Sequence, residues 1–303
     1  MSHWDCPIDS KCDVLAEIGA VFMITSKLRL ASQGLRDAVY GAAVGDALGV
    51  PYEFMTRDTF ECTGMASGGA HGQPAGTFSD DTSMMLATCD SIRVHRAIDV
   101  NDMRKRFNDW LHDGAYAVDG DVFDVGGTVA TALAEGKGST GERSNGNGSL
   151  MRIAPLVYTT ASDDDVRAVS AITHAHRIST ESCVCFVKLI RNLIGGNPLV
   201  SSLRNSIPAH DEFAFLDGVC GQPRDAIRSG GYVLDTLGAA IWCFANTDSY
   251  ADCVLAAVNL GRDSDTTACV AGALTGAVYG YDAIPSEWLD ALRGKDIIEA
   301  SLF

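Results

Sequence analysis

The stretch Gly-Arg-Asp-Ser-Asp-Thr-Thr at residues 261–267 places two carboxylates and two hydroxyls in four consecutive positions, directly before an apolar helical pattern. Asp263 and Asp265 are two residues apart, so in a turn both can point to one place, and Thr266 adds a neutral oxygen. Hard oxygen ligands of this kind suit Mg²⁺, Mn²⁺ or Ca²⁺. The same residue types also cap helix N-termini, so this stretch alone leaves both metal binding and capping open.

A second acidic stretch, Thr-Phe-Ser-Asp-Asp-Thr-Ser at residues 77–83, also precedes an apolar helical pattern. If the two stretches meet in the fold, four carboxylates crowd one cavity and repel one another. Two divalent cations would neutralise that charge, so we predict a binuclear, oxygen-ligated site. Its predicted ligands are Ser79, Asp80, Asp81, Asp263, Asp265 and Thr266.

Composition limits the classes of protein and partner. The chain has 303 residues, of which 47% are hydrophobic, so it can bury a large core, and we expect one catalytic domain rather than two. Its formal net charge of −16 argues against nucleic acids and anionic membranes as general partners. We take a monomer as the default quaternary state.

The ten cysteines are scattered and include no Cys-x-x-Cys pair, which is typical of buried thiols in a reducing compartment. The N-terminus lacks a basic segment before its apolar stretch, so no secretory signal is indicated. Residues 266–281 carry no charge but are too few to span a membrane. We therefore expect a cytoplasmic protein.

Hydrophobic periodicity predicts a nearly all-α chain, because no alternating strand pattern with hairpin turns occurs. Residues 1–33 have weak periodicity and are interpreted as an N-terminal arm preceding a domain at 34–303. Gly41 and Gly45 lie one turn apart in the first helix, where they would let another backbone approach closely. Helices are predicted at 32–49, 82–97, 101–112 with Asn101 as N-cap, 127–136, 163–176, 178–194, 232–246, 249–260, 265–279 and 286–293.

Several other residues are candidates for binding. The glycine-rich loop 145–149, Asn-Gly-Asn-Gly-Ser, could hold a pyrophosphate on its backbone N–H groups, with Arg152 supplying positive charge, or could be an ordinary connection. His174 is predicted at the end of a helix, which it would complement. Tyr232 follows two glycines and either covers a sugar or base or packs in the core. Glu53 is either a solvated loop residue or points into the acidic cavity.

Together these motifs resemble the ADP-ribosylglycohydrolase family, the DraG-like hydrolases, in order from about residue 34 to about residue 282. The segments that carry the resemblance are Gly45-Asp46-Ala47-Leu48-Gly49 with Glu53, Ser79-Asp80-Asp81-Thr82, residues 145–155, Thr173-His174 and Gly261-Arg262-Asp263-Ser264-Asp265-Thr266. The resemblance implies an all-α, compact orthogonal helical bundle with two Mg²⁺ or Mn²⁺ ions on the six ligands given above. It also implies substrate contacts from Asn145, Gly146, Asn147, Gly148, Ser149, Met151, Arg152, His174 and Tyr232.

The activity implied is hydrolysis of the glycosidic bond that joins ADP-ribose to a modified protein. We expect Asp81 to act as acid or base, Asp80 to assist, and Glu53 to position substrate or water. Arginine is the expected linkage; a serine or acetyl-ester linkage, and a non-catalytic ADP-ribose binder, are the alternatives. An isoprenoid synthase is disfavoured because Met84 occupies the position of the third acid in Asp-Asp-x-x-Asp. A histidine-aspartate phosphohydrolase is disfavoured because the His-Asp pairs lack neighbouring histidines.

Overall fold

The computed structural model describes residues 31–303, and over this part of the chain the protein is all-α, as predicted. The helices are Ala31–Gly49 (α1), Asp80–His95 (α2), Val100–Asp113 (α3), Gly127–Glu135 (α4), Asp163–Ser170 (α5), Arg177–Ile194 (α6), Leu199–Arg204 (α7), Val233–Ala245 (α8), Tyr250–Val258 (α9), Ser264–Tyr279 (α10), Ser286–Ala291 (α11) and Lys295–Ser301 (α12). Short 3₁₀ helices lie at 50–52, 118–120, 154–158, 211–221, 224–226 and 281–283. Residues 1–30 of the predicted arm lie outside the described residues, and its last three positions begin α1.

The central element is the pair formed by α1 and α10. A Cβ atom at Gly45 would lie 2.1 Å from the carbonyl oxygen of Ala268, and one at Gly276 would lie 2.4 Å from that of Asp37. Glycine is therefore required where the two backbones touch, which confirms the close approach predicted for the first helix. Tyr250 of α9 donates its hydroxyl hydrogen to the Gly41 carbonyl oxygen at 2.7 Å, so α9 packs against the same pair.

Two details of the predicted helices were wrong. Asp99, not Asn101, is the N-cap of α3, because its carboxylate accepts hydrogen bonds from the backbone N–H groups of Asn101 and Asp102. The predicted helix 163–176 ends at Ser170. The chain turns after Ser170, and the next helix begins at Arg177. His176 is the N-cap of that helix, because its ring accepts a hydrogen bond from the Ile178 N–H.

The sequence pattern also missed α7, α12 and the 3₁₀ segment 211–221. The first two have six and seven residues, which is too few for helical periodicity to be recognised. Within the described residues, no helix has both the length and the apolar character needed to cross a membrane.

Candidate active site

Asp46 of α1 holds the N-terminus of α2. Its carboxylate accepts hydrogen bonds from the Ser79 N–H at 2.9 Å and from the Thr82 N–H and hydroxyl at 3.1 and 2.6 Å. Ser79 is the N-cap of α2, and its hydroxyl oxygen accepts from the Asp81 N–H at 3.3 Å. The second acidic stretch is therefore a helix cap fixed from α1, and Asp80 and Asp81 form its first turn.

The other acidic stretch begins α10 and is held against the end of α1. The Ser264 hydroxyl donates to the Gly49 carbonyl oxygen at 2.9 Å, and a Cβ at Gly49 would lie 2.3 Å from the Cα of Asp265. The Asp263 N–H donates to the Ser229 carbonyl oxygen at 3.0 Å. These contacts fix the first turn of α10 beside that of α2.

The two acidic stretches meet, as the sequence pattern predicts. The Thr266 hydroxyl donates to the Asp81 Oδ1 at 3.3 Å, across 185 positions of the chain. Carboxylate oxygens of Asp46, Asp81 and Asp265 all lie within 4.8 Å of one another. Three helices, α1, α2 and α10, thus contribute acids to one buried cluster.

The electrostatics of this cluster fit a divalent cation. Burial raises the pKa values of Asp80, Asp81 and Asp265 well above the usual range of a carboxyl, and the neighbouring acids raise them further. The Oδ2 atoms of Asp81 and Asp265 are buried and have no hydrogen-bond partner within residues 31–303. Buried carboxylate oxygens need a donor or a cation, so these two atoms and their oxygen-rich surroundings are suited to Mg²⁺ or Mn²⁺.

A second group of acids surrounds Glu53. Glu53 contacts the His71 ring nitrogen Nε2, and ligand atoms of Glu53, His71 and Asp124 lie within 4.8 Å of one another. Burial raises the pKa of Glu53 to about 9, with the charges of Asp124 and other nearby acids as further causes. The centroid of the His71 ring also lies 5.9 Å from that of Phe54 and 5.1 Å from that of Phe123.

Sequence reasoning missed Asp46, His71 and Asp124 as site residues. His71 lies in a long glycine-rich loop that has no periodic pattern. Asp124 lies three residues before α4, and an acid before a helix start was a signal that could have identified it. Asp46 is in the interior of an apolar helix, where its partners 33 and 36 positions away cannot be seen from the local sequence.

The glycine-rich loop 145–149 joins this site through Asn147. Its side-chain amide donates to Asp263 Oδ2 and to the Thr236 hydroxyl, both at 2.9 Å. The Asn147 N–H donates to the Gly231 carbonyl oxygen at 3.1 Å, which pairs the loop with the residues before Tyr232. Tyr232 has 36% of its surface exposed, so it lies at the surface beside the loop rather than filling the core.

His174 lies beneath the loop rather than capping a helix. A Cβ at Gly148 would lie 2.9 Å from His174 Cε1, so glycine lets the loop rest on the imidazole ring. Nδ1 lies 2.9 Å from the Thr173 hydroxyl. Burial, together with the charge of Arg152, lowers the pKa of His174 to about 3, so the ring is neutral at physiological pH.

Five of the predicted substrate contacts are buried: Asn147 and His174, described above, and Ser149, Met151 and Arg152. Ser149, Met151 and Arg152 are 0%, 3% and 0% exposed. The Arg152 guanidinium stacks on Phe107 at 4.4 Å and donates to the Thr173 hydroxyl at 3.0 Å. Direct contact of these three side chains with a diphosphate is therefore not supported, and they support the loop from behind.

The fold and the buried carboxylate cluster together define an all-α protein with a candidate metal centre. The chain belongs to the ADP-ribosylglycohydrolase family, whose sequence profile matches residues 29–302. It is accordingly a glycosidic-bond hydrolase.

Individual relatives agree with this assignment. The chain is 33% identical over 280 residues to "ADP-ribosylarginine hydrolase Tri1" of Serratia proteamaculans (strain 568), covering 87% of this chain and 76% of the relative. It is 33% identical over 277 residues to "ADP-ribosyl-[dinitrogen reductase] glycohydrolase" of Rhodospirillum rubrum, covering 85% and 90%. A solved structure titled "ADP-ribosylglycohydrolase-related protein complex" superposes with a TM-score of 0.75 at 32% identity, covering 89% and 96%. Human "ADP-ribosylhydrolase ARH3" is 25% identical over 346 residues, covering 88% and 92%.

Proposed function

We propose that this protein removes ADP-ribose from modified arginine residues of other proteins, with two Mg²⁺ or Mn²⁺ ions as cofactors. It would thereby reverse mono-ADP-ribosylation. The arginine linkage is supported by the relatives named ADP-ribosylarginine hydrolase, which are 33% and 32% identical. The observation that carries the proposal is a pair of buried carboxylate oxygens, on Asp81 and Asp265, that have no hydrogen-bond partner among the described residues and lie where the two acidic stretches meet.

The predicted ligand set is compatible with this geometry. The residues that would hold the cations are Ser79, Asp80, Asp81, Asp263, Asp265 and Thr266. Asp46 already accepts three hydrogen bonds from the first turn of α2, so we assign it the role of positioning that turn. Bound divalent cations would orient the vicinal ribose hydroxyls and lower the pKa of a water molecule.

The acidic side chains also suit the charge changes of the reaction. Cleavage at the anomeric carbon builds positive, oxocarbenium-like charge, which nearby carboxylates stabilise. Asp81 is our candidate for the acid or base, with Asp80 beside it, because burial raises its pKa well above the ordinary carboxyl range. Glu53, with a pKa of about 9, would be protonated at neutral pH before substrate binds and would position substrate or water with His71 and Asp124.

We assign substrate binding to the loop 145–149 and to Tyr232 beside it. The backbone N–H groups of Asn145, Gly146 and Gly148 can donate to the diphosphate, and the glycines let an anion approach them closely. Asn147 is held in place by Asp263, so the loop and the acidic cluster form one rigid surface. His174 supports the loop from below as a neutral ring, and Tyr232 would cover the sugar or base.

The O-linked alternative, on serine or an acetyl ester, is a second candidate because human ADP-ribosylhydrolase ARH3 is also similar to this chain, at 25% identity. A non-catalytic binder is less well supported, since all six proposed ligand positions keep oxygen-bearing side chains. A cytoplasmic location is part of the proposal and agrees with the free cysteines among the described residues. Monomeric state is also part of it.

The test is release of ADP-ribose from matched arginine-linked and serine-linked ADP-ribosyl peptides, with Mg²⁺, with Mn²⁺ and with a chelator. Metal-dependent release from the arginine peptide alone is the expected result. Release from the serine peptide alone would contradict the arginine linkage and indicate an O-linked ADP-ribosyl hydrolase. Release from neither, by folded protein supplied with metal, would contradict hydrolysis of both linkages.

A further inference from the structure

A cavity of about 470 Å³ opens next to the acidic site, where the loop after Glu53 meets the loop before Asp263. The two loops are joined by paired backbone hydrogen bonds, from the Phe54 N–H to the Arg262 carbonyl oxygen and from the Arg262 N–H to the Met55 carbonyl oxygen. Ser229, whose carbonyl oxygen holds the Asp263 N–H, also lines the cavity. The cavity is therefore a direct neighbour of the proposed catalytic cluster.

Three arginines line this cavity, which we call the arginine cavity: Arg57, Arg228 and Arg262. The Arg57 guanidinium is held rigidly, because it donates to the carbonyl oxygens of Leu260 and Arg224 at 3.0 and 2.8 Å and to a third carbonyl oxygen. Its partners are neutral, so these hydrogen bonds fix the cation without neutralising it.

Arg228 and Arg262 differ from Arg57 because their side chains are exposed. Within residues 31–303, no hydrogen bond or ion pair engages either guanidinium. Asp225 and Asp235 also line the cavity; burial raises the pKa of Asp235, and the charge of Arg228 partly opposes that rise. The residues that line the cavity include three arginines and two aspartates, so their summed formal charge is positive. The chain as a whole, by contrast, has a net charge of −16.

The arginine cavity continues into a larger one of about 750 Å³, which we call the apolar cavity. Ile227, Arg228 and Asp235 line both. The apolar cavity includes Phe215, which is 46% exposed, and reaches Tyr232. Two acids, Glu212 and Asp217, also line it, and each forms an ion pair with an arginine outside it, Arg177 and Arg204. The two cavities form one groove that leads away from the acidic cluster, with a positive end near the cluster and an apolar end.

We propose that this groove binds the polypeptide segment of the substrate protein next to its ADP-ribosylated residue, and that the arginine cavity selects an acidic side chain in that segment. This inference rests on the proposed function. Charge complementarity supports it, because fixed and unpaired guanidinium groups recognise carboxylates. A diphosphate is the other anion that these arginines could recognise, and the experiment separates the two sources.

The experiment compares the wild type with Arg228→Glu, Arg228→Lys and Arg262→Gln on two arginine-linked ADP-ribosyl peptides, one with glutamates flanking the modified residue and one with glutamines. ADP-ribosylarginine without a peptide is the third substrate. For the wild type we expect kcat/KM to be about 3- to 10-fold higher for the acidic peptide, as befits one or two exposed ion pairs. Arg228→Glu should abolish this preference through KM, Arg262→Gln should reduce it, and Arg228→Lys should retain most of it.

Arg93→Glu is the matched control. It makes the same charge change on an exposed arginine of α2, 13 positions from Asp80 and thus ~20 Å away, and it should keep the preference. Unchanged hydrolysis of ADP-ribosylarginine by Arg228→Glu is also expected. If Arg228→Glu lost as much kcat/KM on ADP-ribosylarginine as on the acidic peptide, the arginines would be assigned to the diphosphate and the inference would be overturned. Equal kcat/KM of the wild type for the two peptides would also overturn it.

Failure of the proposed function has a different signature. No substrate would then be hydrolysed, even by the wild type. Binding of the unmodified acidic and neutral peptides, measured by fluorescence anisotropy, still tests the groove. Tighter binding of the acidic peptide by the wild type, lost in Arg228→Glu, supports the groove, and equal binding of both peptides contradicts it.

Discussion

Gly41 and Gly272 contact each other reciprocally across the helix pair α1 and α10. A Cβ atom on Gly41 would lie 2.3 Å from the Gly272 carbonyl oxygen, and one on Gly272 would lie 2.2 Å from the Gly41 carbonyl oxygen. The helices are thus in backbone contact. Since α1 carries Asp46 and α10 begins at the Asp263 to Thr266 stretch, this contact also sets the separation between parts of the acidic cluster.

Replacing Gly272 with alanine should therefore destabilise the protein. Even one methyl group must push two backbones apart, and we expect the free energy of unfolding in urea to fall by about 3 kcal/mol. Gly127→Ala is the control, because a Cβ there meets no atom within 4 Å and should leave stability within about 1 kcal/mol. Equal midpoints for the two variants would show that the helix contact is not the constraint described.

Asp265→Asn should separate metal binding from folding. The change removes one charge from a buried set of acids, so without metal the variant should melt at a higher temperature than the wild type. Added Mg²⁺ or Mn²⁺ should stabilise the wild type but not the variant. ADP-ribose release should fall about 100-fold or more. Thermal melting with and without a chelator is the measurement, and equal metal-induced stabilisation of both proteins would refute the role of Asp265.

Metal binding should also release protons from the wild type. Burial and mutual repulsion raise the pKa values of Asp81 and Asp265, which favours their protonated forms without metal, and a bound cation favours the ionised forms. Calorimetric titration with Mn²⁺ in buffers of different ionisation enthalpy measures the number released. We expect a positive number at pH 7 that decreases as the pH rises, and zero release at pH 6 would contradict the protonated cluster.

His71 should affect turnover through Glu53. His71→Ala removes the Glu53 contact and the ring that touches Phe54 and Phe123, so Glu53 should lose its fixed position. We expect kcat to fall about 10-fold with a smaller change in KM. His71→Gln offers a nitrogen near the Nε2 position and should restore much of the rate. Steady-state kinetics of all three proteins give the comparison, and no rescue by glutamine would assign the effect to ring packing instead.

His174 predicts a pH-dependent stability. Its folded-state pKa of about 3 is below the ordinary 6.5, so below pH 6.5 the unfolded chain binds a proton that the folded chain excludes. The free energy of unfolding should then decrease by about 1.6 kcal/mol between pH 6.5 and 5, with a slope that approaches about 1.4 kcal/mol per pH unit at the lower end. His174→Asn keeps a polar atom near Nδ1 but cannot titrate. The wild type should therefore lose stability relative to the variant over this range, and parallel curves would contradict a buried neutral imidazole.

The fold and part of the site were accessible from sequence because their signals are local. Acids and hydroxyls adjacent in the chain identified both helix starts, and glycines one turn apart identified the close helix contact. Arg152 shows where local reasoning failed. A charge three residues after a glycine-rich loop indicates an anion site, but its burial depends on Phe107 and Thr173, which are distant in sequence.

The remaining site residues are defined only by long-range contacts. His71 meets Glu53 across a loop of 18 positions, and Asp124 joins them from the start of another helix. Asp46 finds its partners on α2. Neither periodicity nor a short motif predicts these long-range contacts, because they depend on how complete helices pack against one another.

The hydrogen bond from Thr266 to Asp81 joins two segments that a ribosome produces 185 residues apart. A nascent chain therefore carries half of the acidic cluster long before the other half exists. The exposed loop at 141–143 is a natural place to divide the protein into two fragments, each inert and each bearing one acidic stretch. Recovered turnover after mixing the fragments would then report directly on their reassociation.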